Sequence, residues 1–171
     1  MTPQAIITHL QARFEGRLLE VHADGLHPRV HVAGETWREL AEFLKSDPAL
    51  AFDWLASLGG MDYVATEQLG LVVDLWSTTL GHTFAVKVFV PRDNPHLPSV
   101  TDLWAAANWQ EREAFDMFGL IFDGHPDFRR ILLEDNWVGY PLRKDYVFPR
   151  EVNGIPGSVE LDWQQKPAGK K

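Results

Sequence analysis

The 171-residue chain contains no cysteine. That absence excludes disulfides, thiolate metal sites, cysteine-ligated iron–sulfur clusters and a cysteine nucleophile within it. No stretch reaches the ~18 consecutive apolar residues of a membrane-spanning helix. The opening Met1-Thr2-Pro3-Gln4 lacks the charged region and apolar run of a signal peptide, so a cytoplasmic protein is expected. Internal repeats and low-complexity tracts are missing. So are G-x-x-x-x-G-K-S/T, G-x-G-x-x-G and G-x-S-x-G, which leaves no nucleophile, flavin or dinucleotide site that the residues declare by themselves. Cations are scarce where they would matter for nucleic acid. Residues 1–120 hold eight Lys/Arg against sixteen Asp/Glu, residues 121–171 hold eight of each, and the net charge is -8. An acidic body repels phosphate backbones and anionic membrane surfaces alike.

Hydrophobic residues make up 45% of the chain, enough for one domain with its own core. Thr2 with Pro3 marks a helix start, and Ile6, Ile7, Leu10 and Phe14 fall on one face until Gly16 ends it. Strands are expected at 17–23 and 26–33, joined at Asp24-Gly25. A second helix over 36–46 buries Trp37, Leu40, Ala41 and Leu44, and Asp47-Pro48 stops it. Phe52, Trp54, Ala56 and Leu58 alternate as a strand would, but Leu55 breaks the pattern. Strands follow at 69–78 and 83–90. After three prolines, a short helix is expected over 99–107. A further helix should be capped by Asn108 and Glu111 in a capping-box arrangement, with Gly119 as its stop. The fold class is α+β: helices on a mainly antiparallel sheet over residues 1–119, then a long extended C-terminal arm over 120–171.

That arm carries the main clue to function. Pro126, Pro141, Pro149, Pro156 and Pro167 bar long helices and central strands. Yet Phe122, Phe128, Ile131, Leu132, Leu133, Trp137, Tyr140, Leu142, Tyr146, Val147 and Phe148 make it far too apolar for a disordered linker. An extended segment of this kind wraps its own body or lies across a partner.

Three clusters could carry chemistry. In Glu111-Arg112-Glu113 with Asp116, the two glutamates point roughly 200° apart on a helix, so they are no catalytic carboxylate pair. Arg112 and Asp116 stand i,i+4 and can pair. The alternatives are a solvated helix start or an ion-pair lock to a partner. In His125-Pro126-Asp127 with Arg129 and Arg130, the histidine and aspartate supply two of the about four ligands of a closed metal site. The arginines could fork onto partner carboxylates. In the run Trp137 to Tyr146, no reaction needs Gly139, Pro141, Leu142, Arg143, Lys144 and Asp145 in that order. It reads as a tight turn on the chain's own core, or as a contact surface with Arg143 in a buried ion pair.

These runs resemble a known family. Glu111-Arg112-Glu113, Asp116-Met117-Phe118, His125, Arg129, Ile131 and Leu132 match the signature of the C subunit of respiratory NADH:quinone oxidoreductase, complex I. Trp137-Val138-Gly139-Tyr140-Pro141-Leu142-Arg143-Lys144-Asp145-Tyr146 resembles the same family's W-x-G-x-P-L-R-K-D-F/Y block. Tyr140 departs from a common His, and Asn136 from a common Asp. The resemblance is good over residues 50–150 and holds only in outline over 1–50. It implies a structural peripheral-arm subunit, with its arm laid over the D and B subunits, on the cytoplasmic side of the membrane. It implies no catalytic, cofactor or metal residues here, with FMN and iron–sulfur clusters in other subunits. Two rivals remain open. One is the equivalent subunit of a membrane-bound hydrogenase or a ferredoxin- or F420-linked quinone reductase. The other is a stand-alone acid/base enzyme using Glu111, Asp116 and His125.

Overall fold

The computed structural model describes residues 1–25, 27–149, 151–152 and 154–156. Leu26, with which the second strand was expected to begin, and Pro167 of the arm lie outside them. Helix α1 (Pro3–Arg13) begins as the sequence suggests: the Thr2 hydroxyl accepts from the Ala5 N–H at 3.3 Å. Strands β1 (Leu18–His22) and β2 (Arg29–Ala33) are antiparallel, and β2 runs straight into α2 (Gly34–Ser46). Trp37, Leu40, Ala41 and Leu44 are all buried on α2. Three long strands follow, β3 (Trp54–Tyr63), β4 (Gln68–Ser77) and β5 (His82–Pro91), as an antiparallel meander.

The five strands form one sheet in the order β1-β2-β5-β4-β3, and β2 pairs parallel to β5. The sheet is therefore mixed, though mainly antiparallel. Leu58, Gly60, Leu71, Val73, Val86 and Val88 share its core face, against which α1 and α2 bury their apolar stripes. The irregular alternation at Leu55 has a structural cause. The register slips between Leu55 and Ser57, so Ala56 is an extra residue and Leu55 and Leu58 both reach the core. Trp54, which alternates with Phe52 and Leu58 in the sequence, is exposed.

Strand β6 (His96–Pro98), helix α3 (Ala107–Phe118) and strand β7 (Ile121–Asp123) complete the core, β6 and β7 being parallel. The core reaches past Gly119, since Leu120 and Phe122 are buried in it. Helix α3 lies directly on β3: a Cβ on Gly60 would fall 2.4 Å from the Phe118 ring. A bare backbone at Gly60 is what allows that approach.

Two sequence expectations fail here. No separate helix forms over 99–106; Ala107 already opens α3, and the segment before it makes isolated turns. Its first polar groups are already committed, the Ser99 carbonyl to Arg38 (2.9 Å) and the Val100 N–H to Glu111 (2.8 Å). Asn108 does not cap α3 either. Ala106 occupies the cap without a side-chain hydrogen bond, and Asn108 lies within the first turn. No described helix is long and apolar enough to cross a membrane.

Candidate docking site

Helix α3 acts as a clasp. Its inward carboxylate, Glu111, is fully buried and accepts from the Ser99 hydroxyl at 2.7 Å and the Val100 N–H at 2.8 Å. Burial drives its carboxyl up to about 7, against the opposing pull of those two hydrogen bonds. Arg112 and Asp116 do not pair with each other, contrary to their i,i+4 spacing. Arg112 donates to the carbonyls of Arg129 (3.0 Å) and Arg130 (3.3 Å) and stands 3.5 Å from Asp127. Asp116 accepts the next three backbone N–H groups, Ile131 (3.1 Å), Leu132 (2.7 Å) and Leu133 (2.9 Å). Its other oxygen takes Arg130 at 2.6 Å.

Two side chains one helical turn apart thus satisfy both polarities of a segment that has no strand or helix of its own. This meets the requirement that buried backbone groups find partners. Burial raises the Asp116 carboxyl, but the N–H groups and Arg130 overcome it and hold it below the ordinary aspartate range. Glu111, Arg112 and Asp116 are all buried, which rules out the solvated-helix alternative. Glu113 alone of the cluster is exposed.

His125 is spent locally. Its Nε2–H donates to the Asn108 carbonyl at 3.0 Å, and its Nδ1 accepts from the Asp127 N–H at 3.0 Å. Arg129 is exposed and bonded to Asp127 at 2.9 Å. Glu111, Asp116 and His125 therefore have their bonding atoms turned to separate backbone segments. They are not gathered around a common substrate space.

The run from Trp137 to Tyr146 is pinned in the same manner, by backbone. Leu142 N–H donates to the Met117 carbonyl (3.0 Å) and Lys144 N–H to Asp62 (2.8 Å). Asp62, itself buried, is held by Arg92 at 3.1 Å, and Arg92 also grips Asp145. Gly139 sits at φ +84°, where a Cβ would fall 2.7 Å from the Tyr146 ring. The Tyr146 hydroxyl closes the turn on the Val138 carbonyl at 3.1 Å. Gly119, at φ +78°, lets the Tyr140 ring approach to 2.5 Å from where its Cβ would stand. Pro141 sits half-buried between Tyr140 and Leu142.

Arg143 is half-buried and has no ion pair among the described residues. It donates to the Phe118 carbonyl at 2.7 Å and lies over the Tyr140 ring at 4.8 Å. Burial lowers its pKa from the ordinary arginine value. It lines a cleft of about 610 Å³ with Glu67, Gln68, Arg92 and Asp93.

With the backbone tied inward, five apolar side chains of the segment point outward. Leu132, Val138, Leu142, Val147 and Phe148 are exposed, Val138 and Val147 each by 85%. Trp109 is exposed beside Arg112, whose guanidinium covers its ring at 5.0 Å. Sequence reasoning named the residues of this region but missed Asp62 and Arg92 as its fasteners, and it offered Arg130 to a partner's carboxylate where the structure pairs it with Asp116. No spacing signal links Asp62 to Lys144.

Residues 30–152 match the family model described as respiratory-chain NADH dehydrogenase, 30 Kd subunit. The chain belongs to that family. It is 49% identical over 122 residues to the C subunit of NADH-quinone oxidoreductase from Chlorobium phaeobacteroides, covering 71% of this chain and 74% of that protein. It is 38% identical over 167 residues to the protein of the same name from Roseiflexus castenholzii, covering 97% and 96%. Among solved structures, a trypsin-resistant fragment of Nqo5 superposes with a TM-score of 0.63 at 34% identity, covering 74% of this chain and 99% of the fragment. A chain of an archaeal membrane-bound sulfane sulfur reductase has the same fold, with a TM-score of 0.67 at 22% identity over 86% of each chain.

Proposed function

We propose that this chain is the C subunit in the peripheral arm of a respiratory NADH:quinone oxidoreductase, with no chemistry of its own. The observation that carries the docking role is the inverted segment from Phe128 to Phe148. Its backbone is fastened to α3 and Asp62, while Leu132, Val138, Leu142, Val147 and Phe148 face solvent. A lone soluble domain has no use for such a strip, and a patch of this kind marks a protein contact. The binding free energy comes from burying Leu132, Val138, Leu142, Val147 and Phe148 against neighbours at ~25 cal/mol per Å2.

In this reading the partners are the D and B subunits, on the cytoplasmic side of the membrane, and residues beyond 120 extend over them. FMN and the iron–sulfur clusters sit in other subunits. Arg143, with no carboxylate partner among the described residues, presents a desolvated guanidinium to a partner's carboxylate across the cleft beside Arg92. Glu111, Arg112, Asp116, His125, Gly139, Pro141 and Tyr146 shape the docking segment from within. Glu113, Arg129, Leu142, Lys144 and Asp145 lie on or near its outer side, and Trp137 is half-buried with its Nε1 enclosed.

The test is a pull-down of the tagged full chain from solubilised membranes, scored for the D and B subunits and for NADH-to-quinone activity. Recovery of both with activity supports the reading, and the donor module that accompanies them separates this complex from a hydrogenase or an F420-linked reductase. A lone, cofactor-free monomer recovered under mild conditions would refute it.

A further inference from the structure

The edge of the sheet holds a second cluster that no motif spacing announces. In the β1–β2 pair, Leu18 faces Val32 and Glu20 faces His31, so Leu19 is an extra, bulged residue. Without that bulge, Leu19 would stand opposite His31, and Glu20 would lie on the core side opposite Val30. With it, Glu20, His22, Arg29 and His31 share the face away from the core. A bulge re-aims side chains in this way next to binding sites.

Three potential ligand atoms converge there. Glu20 Oε2 lies 3.1 Å from His22 Nε2 and 3.0 Å from His31 Nδ1. All three atoms lie within 4.8 Å of one another. Glu20 is exposed, His22 half-buried and His31 buried, so the cluster has a floor and an open mouth. We propose that Glu20, His22 and His31 form a binding site for a divalent transition-metal ion of the zinc class, with solvent in the fourth position.

Two imidazoles and one carboxylate are the ligand set that suits such an ion. Ligand bonds of roughly 2.0–2.1 Å in a tetrahedron put donor atoms about 3.3 Å apart. The two Glu20 contacts need to open by only a few tenths of an ångström to admit the ion. The His22–His31 edge must close somewhat, and the rings already stand 5.0 Å apart. Burial lowers the pKa of His31, and the neutral imidazole is the form that binds metal.

Arg29 opposes the ion. Its Nε–H donates to His31 Nε2 at 3.2 Å. That bond requires Nε2 to be bare, whereas an imidazole ligating through Nδ1 carries its proton on Nε2. Metal binding must therefore displace Arg29. Lys87, paired across from His31 on β5, adds a second unfavourable charge. These cations predict modest affinity, and they give the site a diagnostic response. The site is separate from the docking role: Glu20 and His22 precede residue 30, where the family match begins.

The experiment is calorimetric titration of the purified full chain with zinc chloride near neutral pH, with circular dichroism of each variant as the folding control. One ion should bind per chain. Glu20→Gln and His22→Gln each remove a ligand at a solvent-accessible position. Each should weaken binding by at least the roughly 10–100-fold that loss of an outer-shell partner alone costs. Arg29→Gln should bind at least as tightly as the wild type, because it removes both a cation and the donor that competes for His31 Nε2. Zinc should also raise the unfolding midpoint of the wild type and leave that of Glu20→Gln unmoved. The proposal is overturned by no saturable binding, or by wild-type affinity in both ligand variants. The latter result would assign the ion to another pair, such as His9 with Asp47 or His96 with Asp123.

Discussion

Asp116 and Arg130 form the most deeply buried ion pair among the described residues, at 2.6 Å, with the aspartate wholly inaccessible and the arginine side chain 13% exposed. Arg130 then reaches on to the carbonyls of Trp137 (3.1 Å) and Gly139 (3.4 Å). The pair is thus the hinge pin between α3 and both halves of the docking segment. Asp116→Asn removes the charge, leaves Arg130 uncompensated and offers one acceptor oxygen where two are used. Breaking a buried pair from one side costs about 3–5 kcal/mol. Urea unfolding should show that loss, and amide exchange should show lost protection first at Ile131, Leu132 and Leu133. Unchanged protection at those amides would mean that the segment is held by something else.

Glu111 makes stability depend on pH in an unusual direction for a carboxylate. Its folded-state value is about 7, against an ordinary 4.5. Between those values the folded chain holds a proton that the unfolded chain has released. Stability attributable to this group is therefore full below pH 4.5 and declines as pH rises towards 7, by about 3 kcal/mol at most. Glu111→Gln should flatten the stability curve between those limits. A wild-type curve that rises across the same window, with an unchanged difference from Glu111→Gln, would show that the carboxyl ionises normally.

Gly139→Ala meets two separate obstacles: a left-handed backbone and the Tyr146 ring. The first costs about 1–2 kcal/mol whatever the neighbours. The second depends on Tyr146 being present. In a double-mutant cycle, Tyr146→Ala should relieve the steric part and leave the backbone part. Strict additivity of the two substitutions in thermal unfolding would mean that the ring does not constrain the turn.

Val138→Asp and Val147→Asp alter two side chains that touch almost nothing in this chain. Each should change its stability by less than about 0.5 kcal/mol. Together they should sharply reduce recovery of partner subunits in the pull-down. Full recovery of an active complex would remove the outward apolar strip from the interface.

The periodic parts of this fold were legible in the sequence because one face of each had to be buried. The stripe of Trp37, Leu40, Ala41 and Leu44 read directly as α2, and Leu71, Val73 and Leu75 as β4. The bulge at Ala56 was visible only as a broken alternation at Leu55, since a bulge has no residue signature unless glycine makes it. The motif residues around Glu111 and Asp116 were also legible, but not their partners. Arg112 and Asp116 pair readily on an isolated helix. In the fold, the unpaired backbone of 129–133 needs them more, because a buried orphan amide costs more than an exposed helical ion pair gains. Contacts such as Lys144 with Asp62, or Glu20 with His31, depend on tertiary approach and strand register, which local spacing does not encode.

The parallel seam between β2 and β5 sets the order in which the molecule can be assembled. Val30 must find Val86, but the β3–β4 hairpin is made between them. During synthesis, β1, β2 and α2 therefore emerge with one strand edge open and wait for the meander to be completed. Closing that long loop delays the sheet more than any local step does. The waiting edge of β2, with Val30 and Val32 uncovered, is where a nascent chain would be vulnerable to mispairing with another copy.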